Sequence, residues 1–125
     1  MILDTCALLW LPSGDPRLTP QARERLAAER TVSFCAISAF EIALKVRDRK
    51  LELPLPPARW VRAMVDHYGL TEIPLDAELC AAAAALPPYH RDPADRFIIA
   101  AAQRLRLPVV TVDQRFAAYG VELVH

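Results

Sequence analysis

Short apolar runs alternate along the chain with segments of helical period. "MIL" at 1–3, "TVSFCAI" at 31–37, "LTEIPL" at 70–75, "PVVTV" at 108–112 and "VELV" at 121–124 have the length and apolar character of strands. The runs at 31–37 and 108–112 carry almost no charge, as strands buried on both faces do. Between them lie helical patterns. "TPQARERLAAER" offers Thr19 as N-cap and Pro20 at the first helical position. "SAFEIALKVRDRK" opens with Ser38 and places Glu41 three residues on, which reads as a capping box. "PARWVRAMVDHY", "DAELCAAAAAL" and "DPADRFIIAAAQRLR" complete the set, and the alanines at 81–85 predict a slim helix for close packing. Strands separated by helices predict an α/β fold with a parallel sheet. Prolines 54, 56 and 57 mark a connection between helices, and no linker or repeat interrupts the chain, so residues 1–125 read as one domain.

Composition narrows the class of function. With 54% hydrophobic and 24% charged residues the chain is suited to a packed globule rather than to disorder. Its longest apolar stretches are too short to span a bilayer, and "MILD" has no basic leader, so a cytoplasmic protein is expected with no membrane partner. Net charge is zero, which excludes a global basic footprint for nucleic acid and leaves only local patches such as "KVRDRK" at 45–50. Cys6, Cys35 and Cys80 form no C-x-x-C pair and predict buried, reduced thiols; His67, His90 and His125 lack metal-ligand spacing. Three scattered glycines build neither a phosphate loop nor a dinucleotide fingerprint.

Four acids recur in two settings. Asp4 and Asp113 each follow a predicted strand, at the sheet edge where α/β folds bind ligands, although aspartate also favours ordinary turns. Glu41 and Asp95 each lie in a helix start, where capping and the helix dipole alone can explain an acid. Helical phase separates Asp92 from Asp95. Ile98, Ile99 and Ala102 lie three, four and seven residues beyond Asp95, so Asp95 stands above the buried stripe, and Asp92 is the better cap. For Glu41 the phase is divided, because Lys45 four residues on could form a surface pair. If the four acids converge, two unit charges about 4 Å apart repel by roughly 4 kcal/mol at an effective dielectric near 20. A hard cation, Mg²⁺ or Mn²⁺, then fits an all-oxygen ligand set, and phosphodiester hydrolysis by an activated water fits the cation.

With these blocks in hand, "MILDT", the acid of "ISAFEIALK", "HRDPADRFIIAAA" and "TVDQRFAAYGV" resemble the PIN domain, most closely the VapC toxins of bacterial type II toxin–antitoxin operons. The resemblance runs nearly end to end. It implies a three-layer α/β/α sandwich and a divalent-metal endoribonuclease, with Asp4, Asp95 and Asp113 as metal ligands and Glu41 holding metal or an ordered water. It gives Thr5 and Thr111 supporting roles, against plain readings as N-cap of "CALLWL" and as a β-branched strand residue. Asp92 would assist at the rim. It further implies an RNA substrate, a homodimer and a cognate antitoxin, with Trp10, Leu11 and Trp60 as interface or core residues. One departure is Arg115, where many relatives carry an acid; it predicts a single tightly held ion, and an arginine that meets a phosphate or solvent. The competing reading is a catalytically inactive binding module that holds a basic partner segment in the acidic pocket. An aspartyl-nucleophile phosphotransferase ranks lower, because "DTC" lacks the second aspartate of a D-x-D motif.

Overall fold

The computed structural model describes residues 1–125. Strands β1 (Ile2–Leu3), β2 (Ser33–Cys35), β3 (Thr71–Ile73), β4 (Val109–Val110) and β5 (Leu123–Val124) form one sheet in the order β3-β2-β1-β4-β5. Every pairing is parallel, with Ile2 opposite Ser33 on one side and Val109 on the other. Helices α1 (Thr5–Ser13), α2 (Pro20–Ala28), α3 (Ile37–Arg47) and α4 (Pro57–Tyr68) precede β3; α5 (Ala77–Ala85), α6 (Pro93–Leu105) and a 3-10 helix, Gln114–Tyr119, follow it.

The strand pleat sorts the core into two layers. Leu3, Phe34, Val110 and Val124 face Leu8 and Trp10 of α1, Leu26 of α2, Ile42 of α3 and Trp60 and Val61 of α4. Their neighbours Ile2, Cys35 and Val109 face the other way, onto Leu79 of α5, Ile98 and Ile99 of α6, and Phe116. One residue in each pair goes up and the next goes down, as a period of two requires. A parallel sheet covered on both faces is the three-layer sandwich expected from the sequence.

Chain direction explains the layers. From β1 the connections step outward to β2 and β3, then return past β1 to β4 and β5 on its far side. Right-handed crossovers in opposite directions put their helices on opposite faces. The reversal also splays the loops leaving β1 and β4, and such a crevice at the carboxyl ends of strands is where open α/β sheets bind ligands.

Several local expectations change. Strands are shorter than the apolar runs, because Ala36 already turns into the right-handed helical region and α3 begins at Ile37. Ser38 therefore lies inside the first turn, α3 has no side-chain cap, and the Ser38–Glu41 capping box does not form. Asp4 rather than Thr5 caps α1, its Oδ1 accepting the Ala7 N–H at 2.7 Å. Thr19 and Asp92 cap α2 and α6 as expected. Trp10 and Trp60 are core residues, at 9% and 4% exposure. All three cysteines are free, with Cys35 buried and Cys6 half-buried, but Cys80 is exposed on the outer side of α5. No helix is long and apolar enough to cross a membrane.

Candidate metal centre at the strand-order reversal

Asp4 ends β1 and caps α1, so its carboxylate is fixed by backbone and is nearly buried, at 6% exposure. Burial raises its pKa above the ordinary carboxylate value; Thr111 and the Ala7 N–H oppose the rise, while the charges of Glu41 and Asp113 add to it. The Thr5 hydroxyl, directly after it, lies 2.9 Å from the Ser38 hydroxyl in a buried pair. That bond ties the β1 exit to the first turn of α3, the helix that carries half-buried Glu41. Ser38 thus serves the site from inside the helix instead of capping it.

Asp113 lies beyond β4 and caps the 3-10 helix. Thr111 Oγ1 accepts the Asp113 N–H at 3.0 Å, and Asp113 Oδ1 accepts the Arg115 N–H at 3.0 Å. Arg115 also closes a two-pronged pair on the carboxylate, Nε to Oδ1 at 3.0 Å and Nη2 to Oδ2 at 2.8 Å. These bonds, helped by His90, hold the Asp113 pKa down at about 2. Arg115 is exposed to solvent, as one of its two expected settings had it, and its guanidinium is paired with Asp113.

Asp95 occupies the first turn of α6, above its buried stripe, as helical phase predicted. Burial first, then the charges of Asp92, Glu41, Asp4 and Asp113, push its pKa up to about 8. No cation answers it.

His90 joins these acids, against the expectation drawn from its spacing. Its side chain is fully buried, and Nε2 lies 3.0 Å from Asp95 Oδ2 and 2.9 Å from Asp113 Oδ2. Nδ1 accepts the Asp92 N–H at 3.1 Å. A ring nitrogen that accepts carries no proton, so the proton of the ring sits on Nε2, which hydrogen-bonds Asp113 Oδ2 with Asp95 Oδ2 close beside it. The loop that delivers the ring is bolted in place. Tyr119 Oη accepts the His90 N–H at 2.8 Å and donates to the Pro87 carbonyl. Arg96 donates to the carbonyls of Ala84, Leu86, Pro87 and His90. His90 stands in a non-helical lead-in five positions before Asp95, outside any helical ligand spacing, and its signal lay in the "HRDPADR" block itself.

Ligand atoms of His90, Asp95 and Asp113 all lie within 4.8 Å of one another. Asp4 and Glu41 stand outside that tight set, but their charges act on Asp95 and on each other. With Nε2 protonated and Nδ1 engaged, the histidine orients the acids and is not itself a free ligand, so the available donors are carboxylate oxygens. Buried acids without a counter-charge, one of them pushed to about 8, are the environment a divalent cation relieves. An oxygen-only set suits Mg²⁺ or Mn²⁺.

Known proteins resemble this chain over nearly its whole length. Residues 1–122 match the PIN domain family. Ribonuclease VapC22 of Mycobacterium tuberculosis (strain ATCC 25618 / H37Rv) is 28% identical over 120 residues, covering 95% of this chain and 91% of the relative. Two solved structures share the fold. FitAB bound to an IR36 DNA fragment superposes with a TM-score of 0.68 at 23% identity, over 98% of this chain and 92% of that one. FitAcB from Neisseria gonorrhoeae gives 0.67 at 23% identity, over 99% and 96%.

Proposed function

The chain belongs to the PIN domain family, and from that premise we propose that it is a Mg²⁺- or Mn²⁺-dependent endoribonuclease, the toxin of a type II toxin–antitoxin pair. The observation that supports the reading is the close set of His90, Asp95 and Asp113, with the charges of Asp4 and Glu41 acting on an Asp95 that has no counter-charge. The similarity to a protein named ribonuclease supports the reaction class. The homodimer and the cognate antitoxin rest on the VapC resemblance of the motif blocks and belong to the same proposal.

Asp4, Asp95 and Asp113 would hold the ion, and Glu41 would hold the ion or an ordered water. Such an ion supplies Lewis-acid polarisation of a phosphate oxygen and lowers the pKa of a water. The remaining work is done by the chain itself. His90 Nε2–H bonds Asp113 and lies against Asp95, and would orient the two acids. Thr111 holds the backbone of Asp113, and the Thr5–Ser38 pair sets Asp4 against the helix of Glu41. Asp92 caps α6 and adds negative charge at the rim.

Cleavage of a single-stranded RNA by highly purified protein tests the reading. The expected result is activity lost in EDTA, restored by Mn²⁺ or Mg²⁺, and absent in Asp95→Asn. The binding-module alternative has one observation in its favour: Arg115 already sits on Asp113 as a partner's basic side chain would. Calorimetry separates the two, since a module with no use for metal would take up no Mn²⁺ at millimolar concentration.

A further inference from the structure

Beside the acids a groove of about 630 Å³ runs between α1, the end of α3 and the connection at 50–54. Cys6 links the two features. It lines the groove and lies two residues beyond Asp4 on α1, and Lys45, which lines the groove too, follows Glu41 by one turn of α3. The groove therefore begins where the acid cluster ends.

Its charge is one-sided. Arg17, Lys45 and Lys50 line it against a single acid, Glu52, on a chain whose net charge is zero. Arg17 is already committed, paired with Asp15 at 2.8 Å and stacked 4.6 Å over the Trp10 ring. The two lysines form no ion pair. In particular Lys45 does not bridge to Glu41, the surface pair that their spacing on α3 allows. Lys45 follows Glu41 by one helical turn, about 6 Å of rise, and Lys50 lies beyond the helix end.

We infer that this groove carries the phosphate backbone of a single-stranded RNA away from the acid cluster, with Lys45 and Lys50 as its phosphate contacts. The inference rests on the ribonuclease reading above and adds a path for the strand. Lysine is a point charge that grips phosphate without reading a base. The floor agrees, because Trp10 and Trp60 are buried in the core and offer little face for a base to stack on. The groove therefore supplies affinity and direction, and sequence preference arises elsewhere. A protein segment would need hydrogen-bonding edges or matching carboxylates, and the lysines serve a polyanion more simply.

Fluorescence anisotropy with a labelled single-stranded RNA of mixed sequence, in EDTA so that nothing is cleaved, provides the test. Affinity is measured against KCl concentration for the wild type, for the double variant Lys45→Gln/Lys50→Gln, and for Arg30→Gln/Arg106→Gln. The last pair removes equal charge at two cavities away from the groove. We expect the lysine variant to bind at least tenfold more weakly at low salt, with its log–log salt slope reduced by about 1.4, two phosphate contacts on a single strand. The arginine control should match the wild type, and thermal melts should be the same for all three. A lysine variant with wild-type affinity and slope overturns the inference, as does equal loss in both doubles; unchanged RNA binding with loss of a protein partner gives the groove to that partner and also overturns it. A parallel cleavage assay with Mn²⁺ keeps the two readings apart. Lysine-dependent binding without cleavage leaves the groove and removes the nuclease, whereas cleavage with lysine-independent binding does the reverse.

Discussion

Asp95 and Asp113 lie 3.0 and 2.9 Å from one histidine nitrogen, yet their carboxyls titrate near 8 and near 2. The histidine stands close to both but hydrogen-bonds Asp113, so it makes part of the difference. Asp113 has Arg115 clasped on both oxygens and an N–H from the 3-10 helix. Asp95 has burial and the charges of four other acids around it. One half of the centre is thus satisfied within the chain, and the other awaits a charge from outside. The comparison teaches that an acid cluster is not uniform; Asp95 and Asp4 create the demand for a cation, and Asp113 offers an orienting edge.

Removing the unsatisfied half should have the largest effect. Asp95→Asn, and likewise Asp4→Asn, is expected to lower metal-dependent RNA cleavage by about a thousandfold or more, the scale of losing a central electrostatic group. Asp95→Asn should melt at a higher temperature than the wild type in EDTA, because a buried repulsion is gone. Loss of activity with loss of stability would put Asp95 in the scaffold instead.

Breaking the shared histidine comes next. His90→Ala should slow cleavage about 10–100-fold, as loss of an orienting partner does at metal sites. It should also cost about 2–3 kcal/mol in denaturant melts, through a buried void and a lost hydrogen-bond network. A variant that loses stability but keeps full activity at low temperature would show that the bridge does not position the acids.

The two halves should also leave opposite marks on stability against pH. For Asp95 the folded pKa, about 8, exceeds the ordinary 3.8, so its stabilising proton is fully bound below about 4 and is lost as pH rises through 8. Metal-free protein should therefore weaken across that window by up to about 1.4 kcal/mol per pH unit, and Mn²⁺ should flatten the slope. For Asp113 the folded pKa, about 2, lies below 3.8, so its contribution is present above 3.8 and is lost as pH falls through 2. Asn at 95 should erase the first arm and leave the second.

The smallest effect should come from Arg115. An exposed ion pair contributes little, so Arg115→Ala should raise Mn²⁺ affinity in calorimetry by no more than about fivefold. An unchanged affinity would mean that the guanidinium does not compete with the ion.

Most of this contrast was legible in sequence, and the rest was hidden for identifiable reasons. Apolar runs announced each strand, and the phase of Ile98, Ile99 and Ala102 announced that Asp95 faced inward, because periodicity is a direct image of burial. The state of Asp113 was not legible, since nothing in "TVDQR" says that Arg115 will fold back two residues. The Ser38–Glu41 box failed because the helix starts at buried Ile37, two residues earlier than a Ser38 cap requires, and Ser38 pairs with Thr5 instead. His90 escaped notice because its position depends on tertiary bolts, Tyr119 and Arg96, that no local pattern encodes. Cys80 was misplaced by its apolar neighbours; an alanine-rich helix buries so little that a thiol can sit outside it.

The central pairing of β1 with β4 joins Ile2 to Val109, across more than a hundred residues of chain. Synthesis at 5–20 residues per second then sets a delay of roughly 5–20 s between the appearance of Asp4 and that of Asp113. During that interval the growing polypeptide carries some of the acids but no assembled centre. A centre shared between β1 and β4 cannot close, by this strand order, before Asp113 has been made.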